Sequence, residues 1–224
     1  MTQPATITMI DYGASNIRSA WKAFEHVGAT VRLTADPDEV RRADKLVLPG
    51  VGAFGAGMAT IRAHDLEPAI HEAVQRGVPL LGICLGMQFL FTESDEMGQH
   101  KGLDLIPGKV TRFDQQLIMN NEQLTINHSQ STIHYLKVPH MGWNQLEPAW
   151  DHALLAGVPT DAHAYFVHSY YCDPADPTHV LAWTDYGLPF CSVVARDNVF
   201  GVQFHPEKSQ RYGLQILTNY VEKI

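Results

Sequence analysis

Two short segments, residues 45–48 and 78–83, are almost unbroken apolar runs set between stretches of helical spacing. A strand with one face in water alternates polar and apolar residues, whereas a run that is apolar throughout is covered on both faces, as in the middle of a parallel sheet. Further β-branched runs fall at residues 7–10 and 30–33. Helical patterns occupy residues 16–27, with Gly28 placed to end the helix, and residues 36–43, 66–76 and 86–92. Such alternation predicts an α/β fold: an open, mostly parallel sheet with helices on both faces and segments 45–48 and 78–83 near its centre. From about Leu103 the pattern turns β-rich, with weaker candidates at residues 110–113, 123–126 and 135–138 around the polar stretch 120–131, and an antiparallel β extension is expected there. Residues 192–196 and 199–204 flank Asp197-Asn198, a dipeptide suited to a tight hairpin, and an amphipathic helix over 212–223 closes the chain. With no repeat and no linker, residues 1–224 read as a single domain.

Several classes of function are disfavoured. Sixteen Lys and Arg against 24 Asp and Glu leave a net charge of −8, which repels a phosphate backbone, and no basic patch offsets it, so nucleic acid is not an expected partner. The longest apolar stretch, residues 78–91, contains Pro79, Gly82, Gly86 and Gln88 and falls short of the roughly 20 residues that span a bilayer, so no membrane partner is expected. The N-terminus lacks the basic and apolar regions of a secretory signal, which makes cytoplasm the expectation. Cys84, Cys172 and Cys191 stand at no metal-like spacing, so neither a disulfide framework, a metal nor another cofactor is expected.

The second apolar run leads directly into Gly82-Ile-Cys84-Leu-Gly86-Met-Gln88. Small residues two before and two after a nucleophile are what a sharp strand-to-helix turn demands, and cysteine here takes the place serine holds in the usual nucleophile elbow. At a helix N-terminus the unpaired N–H groups favour a thiolate; the plain alternative is that Cys84 is a small buried core residue. A thiolate that forms an acyl intermediate needs a proton shuttle. His205, in Gly201-Val-Gln-Phe-His205-Pro-Glu207, follows an expected strand, so it falls at the carboxyl edge where open α/β sheets gather their sites. Glu207 is placed to hold the second imidazole nitrogen, although a solvated turn histidine beside a surface glutamate would read the same way. The segment Pro49-Gly50-Val51-Gly52 follows the other buried run, and the amides of Val51 or Gly52, with that of Leu85, are natural oxyanion donors.

The PGVG loop, the GICLGMQ elbow and His205-Pro-Glu207, in this order, resemble the class I (triad) glutamine amidotransferases. Three more segments, Asp11-Tyr-Gly-Ala-Ser-Asn16, Pro139-His-Met-Gly-Trp-Asn144 and Tyr165-Phe-Val-His-Ser-Tyr170, make the likeness greatest to the glutaminase subunits of imidazole glycerol phosphate synthase, and it extends over essentially the whole chain. The resemblance implies a flavodoxin-like sheet and a Cys84-His205-Glu207 triad that splits glutamine into glutamate and ammonia. It implies that Gln88 and the backbone of Gly52, Leu85, Ser169 and Tyr170 hold the substrate, with the amide at Gly50 and Val51 as the oxyanion element. The ammonia would pass to a (β/α)8-barrel cyclase subunit in a heterodimer of histidine biosynthesis, with Asn16, Met141, Trp143, Asn144, Lys208 and Ser209 facing that partner. From the residues alone, a Met, Trp and Asn together suit an interface centre or a core loop equally. A stand-alone cysteine hydrolase, a non-catalytic binding module and a metal hydrolase are the alternatives. The long polar stretch 115–135 reads as an enlarged loop.

Overall fold

The structure, a computed structural model, describes residues 5–13, 16–113 and 137–224. Its first half alternates β1 (Thr6–Ile10), α1 (Ile17–His26), β2 (Thr30–Thr34), α2 (Pro37–Arg41), β3 (Leu46–Gly50), α3 (Phe54–Ala63), α4 (Leu66–Gln75), β4 (Leu80–Cys84) and α5 (Leu85–Phe89). The second half is mostly strand: β5 (Phe91–Ser94), β6 (His100–Lys101), β7 (Ile106–Arg112), β8 (His140–Gln145), β9 (Glu147–Pro148), β10 (His163–His168), β11 (Tyr170–Pro174), β12 (Val180–Asp185), β13 (Pro189–Arg196) and β14 (Val199–Val202), followed by α6 (Gln210–Lys223). Strands β2-β1-β3-β4-β14 run parallel in that spatial order, and β13, β11 and β7 continue the sheet in antiparallel fashion. Strands β8 and β10 form a separate antiparallel ribbon.

The near-continuous apolar runs are explained by two cores, one on each face of the sheet. Ile7 and Met9 of β1, Val47 of β3 and Leu81 and Ile83 of β4 pack with Phe24 of α1 and Ile216, Leu217 and Tyr220 of α6. Their strand neighbours Ile10, Leu46, Leu48 and Leu80 point the other way, against Val40 of α2, Met58 and Ile61 of α3 and Ile70 of α4. Period-two alternation therefore feeds both faces, so nearly every position of β3 and β4 is apolar. At the sheet's edge the fully buried Tyr220 hydroxyl lies 2.7 Å from the Leu46 carbonyl and 2.9 Å from that of Pro79, which fixes α6 against the strand ends. The Asp197-Asn198 hairpin joins β13 to β14, with Asp197 at φ 52.

Two local expectations need correction, and one helix has no signature in the sequence pattern. The helix expected over 86–92 ends at Phe89, and β5 begins at Phe91, because aromatic and β-branched Phe91-Thr92 enters the sheet beside β7. Helix α3 was not legible, since Gly55 and Gly57 depress its propensity. Those glycines answer to packing: a Cβ on Gly57 would lie 2.3 Å from the Phe89 ring and one on Gly55 2.5 Å from His100. The strand expected at 135–138 does not reach Lys137 and Val138; the strand starts after Pro139, which has no N–H to give a ladder, and runs as β8. The strand candidate at 123–126 and nearly all of the loop 115–135 lie outside the described residues. No helix among the described residues is long and apolar enough to cross a membrane, and no metal-holding group of three or more His, Cys, Asp or Glu occurs among them.

Candidate active site

Strand β4 is buried throughout and its last residue, Cys84, has φ 55 and ψ −112, a strained backbone for a residue with a Cβ. The chain passes from β4 to α5 with no intervening loop residue, which forces backbones into contact. A Cβ on Gly86 would lie 1.7 Å from the Leu48 carbonyl oxygen, and one on Gly82 would lie 2.6 Å from that of Gly86. Both glycines are thus fixed by close approach, and Cys84 is left at the carboxyl end of the central strand.

His205 follows β14, the parallel neighbour of β4, and is almost completely buried. Its N–H donates to the Tyr165 carbonyl at 3.0 Å and its own carbonyl accepts from the Ser209 hydroxyl at 2.6 Å, so the backbone is held from both sides. Imidazole Nδ1 donates to Glu207 Oε1 at 2.8 Å, which leaves Nε2 as the ring nitrogen available to Cys84 across the cleft. Burial pulls the ring's pKa down, but the hydrogen bonds and negative charges of Cys84 and Glu207 outweigh it and raise it to about 10. The ring therefore carries a proton at neutral pH, between the sulfur and the carboxylate. Burial drives the Cys172 and Cys191 thiols upward, and both remain inert thiols in the sheet.

A cleft of ≈ 380 Å³ opens over Cys84 and His205, bordered by Val51, Gly52, Leu85 and Gln88 on one side and by Ser169 and Tyr170 on another. Its size suits an amino-acid ligand. Gly52, at φ +108, needs its missing side chain for that backbone turn. Gly50 does not border the cleft; it is buried beside Gly86 and Tyr12, where a Cβ would meet both. Gln88 donates to the Tyr170 carbonyl at 3.2 Å and to Gln203 Oε1 at 3.1 Å, and Gln203 in turn directs its amide nitrogen at Cys84 Sγ, 3.9 Å away. Glu96, whose Oε2 accepts from the Phe54 N–H at 2.6 Å, brings a carboxylate to the cleft. Sequence reasoning missed Glu96, Gln203, His140 and His168, none of which stands in a catalytic spacing.

His140 and His168 are buried in the ribbon, His168 at the wall of the cleft and His140 behind it, and burial lowers their pKa values to about 4 and about 3. In the unfolded chain both titrate near the ordinary histidine value of about 6.5. Protons therefore bind the unfolded state first, and the stability held above that pH is lost as the pH falls through it toward the folded values. Urea titrations are expected to show the unfolding midpoint falling already between about pH 6.5 and about pH 5, before most carboxylates titrate. A midpoint flat across that window would contradict the assignment.

On the outer side of the ribbon, Met141 and Trp143 are 62% and 47% exposed, large values for apolar residues in a strand. Trp143 meets the Tyr165 ring edge-on at 6.1 Å, and Lys208 Nζ lies 5.8 Å from that ring's centre, so these side chains form one patch. Asn144 is half-buried and Asn16 is exposed in the left-handed region, at φ 73. Ser209 does not join them: it is buried, its hydroxyl committed to His205 and to the Tyr165 N–H at 2.9 Å.

Comparison with known proteins agrees with this geometry. Residues 8–224 match the family model for class-I glutamine amidotransferase. The chain is 52% identical to imidazole glycerol phosphate synthase subunit HisH of Salinibacter ruber, over 95% of this chain and 92% of that protein. It is 49% identical to the HisH subunit of Syntrophotalea carbinolica, over 96% and 98%. Among solved structures, that of PurLQS from Thermotoga maritima superposes with a TM-score of 0.69 at 17% identity, covering 97% of both chains, which speaks to the fold alone.

Proposed function

Since the chain belongs to the class I glutamine amidotransferases, among the HisH subunits of imidazole glycerol phosphate synthase, we propose that Cys84, His205 and Glu207 are the triad with which it hydrolyses glutamine for histidine biosynthesis. The observation that carries this reading is that Cys84, at the end of β4, and His205, following the neighbouring β14 and hydrogen-bonded to Glu207, border the same cleft. On this proposal residues 1–224 act as one amidotransferase domain.

The Cys84 thiolate attacks the side-chain amide carbon of glutamine, and the carbonyl oxygen takes the negative charge. Backbone N–H groups of Val51 or Gly52 and of Leu85 stabilise that oxygen, a type of contribution worth roughly 3–4 kcal/mol per donor. His205 gives its Nε2 proton to the departing nitrogen, the C–N bond breaks, and ammonia leaves a thioester on Cys84. Water then attacks the thioester, its proton returning to His205, and glutamate departs from the regenerated thiolate. Glu207 holds the ring's orientation throughout. Gln88, Ser169 and Tyr170 hold the substrate's polar groups, and Glu96 supplies the charge that an α-ammonium needs.

The ammonia goes to a cyclase subunit of (β/α)8-barrel form, which uses it to make imidazole glycerol phosphate and aminoimidazole carboxamide ribotide. Met141, Trp143, Asn144, Lys208 and Asn16 form the docking face. An exposed Trp and Met rimmed by polar groups is how an interface centre is built. Trp143→Ala is expected to weaken binding of the barrel cyclase about 30-fold or more, as seen by titration calorimetry, with the fold unchanged. An unaltered affinity would remove Trp143 from the interface.

A further inference from the structure

The two buried histidines have no part in the triad, yet their hydrogen bonds have a single possible direction. His168 Nδ1 lies 2.8 Å from the Tyr170 carbonyl oxygen, which can only accept, so Nδ1 carries the hydrogen and Nε2 is bare. His140 Nδ1, 3.0 Å from that Nε2, must then donate, which leaves His140 Nε2 as an acceptor. It receives the Asn144 amide, 3.3 Å away, and that amide is itself oriented: it donates to the Asp185 carbonyl at 2.7 Å while Asn144 Oδ1 accepts from the Gln145 N–H at 2.8 Å. The line is closed at both ends by backbone groups of fixed polarity. A second proton on either ring would set N–H against N–H, in keeping with the lowered pKa values, and the nearby His205 cation disfavours it further at His168. His140 stacks on Tyr186 at 3.9 Å, and Phe113 stands edge-on to His168 at 5.3 Å, so the rings cannot swing.

The carbonyl at the end of this line is the one that accepts from Gln88. We propose that His140 and His168 are positioning residues for the glutaminase reaction: with Asn144 they form a directional relay that holds the Tyr170 carbonyl, and through it Gln88, in the geometry that receives glutamine. This rests on the reading of the cleft as a glutamine site. The relay begins on β8, the strand that carries Met141 and Trp143 outward, so it runs from the strand of the docking face to the substrate cleft.

The test uses the full chain and two reagents for Cys84: a diazoketone analogue of glutamine, which must be bound to react, and iodoacetamide, which need not be. In His168→Phe, which keeps a ring but loses the donor, labelling by the analogue is expected to slow about tenfold while labelling by iodoacetamide changes less than about twofold. His168→Asn, which restores a donor near the Nδ1 position, should recover part of the loss. Nitrogen–proton NMR of the wild-type rings should show hydrogen on Nδ1 and none on Nε2 at both histidines. Selectivity unchanged in His168→Phe, or hydrogen found on Nε2, would overturn the relay. If His168→Phe does not fold, Asn144→Leu breaks the line at its far end and is read the same way: slower analogue labelling supports the relay, unchanged selectivity overturns it. A wild-type protein that the analogue fails to label would instead count against the glutamine site itself.

Discussion

Cys84→Ala is expected to abolish glutamate release, lowering it about ten-thousandfold or more, while the complex with the cyclase still makes product from free ammonium. The reason is local. Cys84 supplies the attacking atom, and no other thiol reaches the cleft, because Cys172 and Cys191 are buried in the sheet. Alanine tolerates the site: the side chain is small, and the strained φ of 55 is already borne by a residue with a Cβ. Unfolding by urea should therefore shift little, by about 1 kcal/mol. The informative comparison is between the two nitrogen sources. Loss of both activities would make Cys84 a structural residue, and retention of glutaminase activity would exclude it as the nucleophile.

Gly86→Ala is expected to have the larger effect on stability. Its Cβ would fall 1.7 Å from the Leu48 carbonyl oxygen and 2.8 Å from the Leu48 carbonyl carbon, and both atoms belong to the backbone of β3. That strand cannot retreat, since it is paired to β1 on one side and β4 on the other and both its faces are packed. The elbow must distort instead, at a cost of about 3 kcal/mol or more, with loss of Cys84 labelling. Gly52→Ala is the useful contrast, because no atom lies within 4 Å of its added Cβ and only the left-handed φ of +108 opposes it. There about 1–2 kcal/mol is expected. A Gly86→Ala protein as stable as Gly52→Ala would contradict the close-contact account of the elbow. Urea midpoints of the three proteins decide it.

What the chain displays in one dimension is what depends on local pattern. Strands β3 and β4 could be read because burial on both faces leaves apolar runs, and the elbow because a sterically closed turn demands Gly82 and Gly86 around Cys84. Helix α3 was hidden because Gly55 and Gly57 serve contacts with His100 and Phe89, residues distant in sequence, at the expense of helix propensity. Read from its residues, the β8 segment suits an interface centre or a core loop equally. It is a ribbon strand with both characters, Trp143 facing out and His140 facing in. Glu96 reaches the cleft, and the buried Gln203 reaches Cys84, only through tertiary packing, so no spacing rule finds them. Ser209 shows the converse: the family resemblance implies a place on the partner face, but its hydroxyl is spent on holding His205 and the Tyr165 N–H.

The most direct test of the central claim, that this cleft makes ammonia from glutamine on behalf of a cyclase, is the rate of glutamate release by the purified chain alone and then with the cyclase subunit and its ribonucleotide ligand. Free turnover would waste glutamine, and the glycine-flanked Val51 peptide can reorient at little cost, so the oxyanion donors are expected to be fully assembled only in the complex. The isolated chain should release glutamate slowly, and the complex about a hundredfold faster or more. A folded chain with Cys84 intact that releases no glutamate in either state, or that runs equally fast without the partner, would contradict that account.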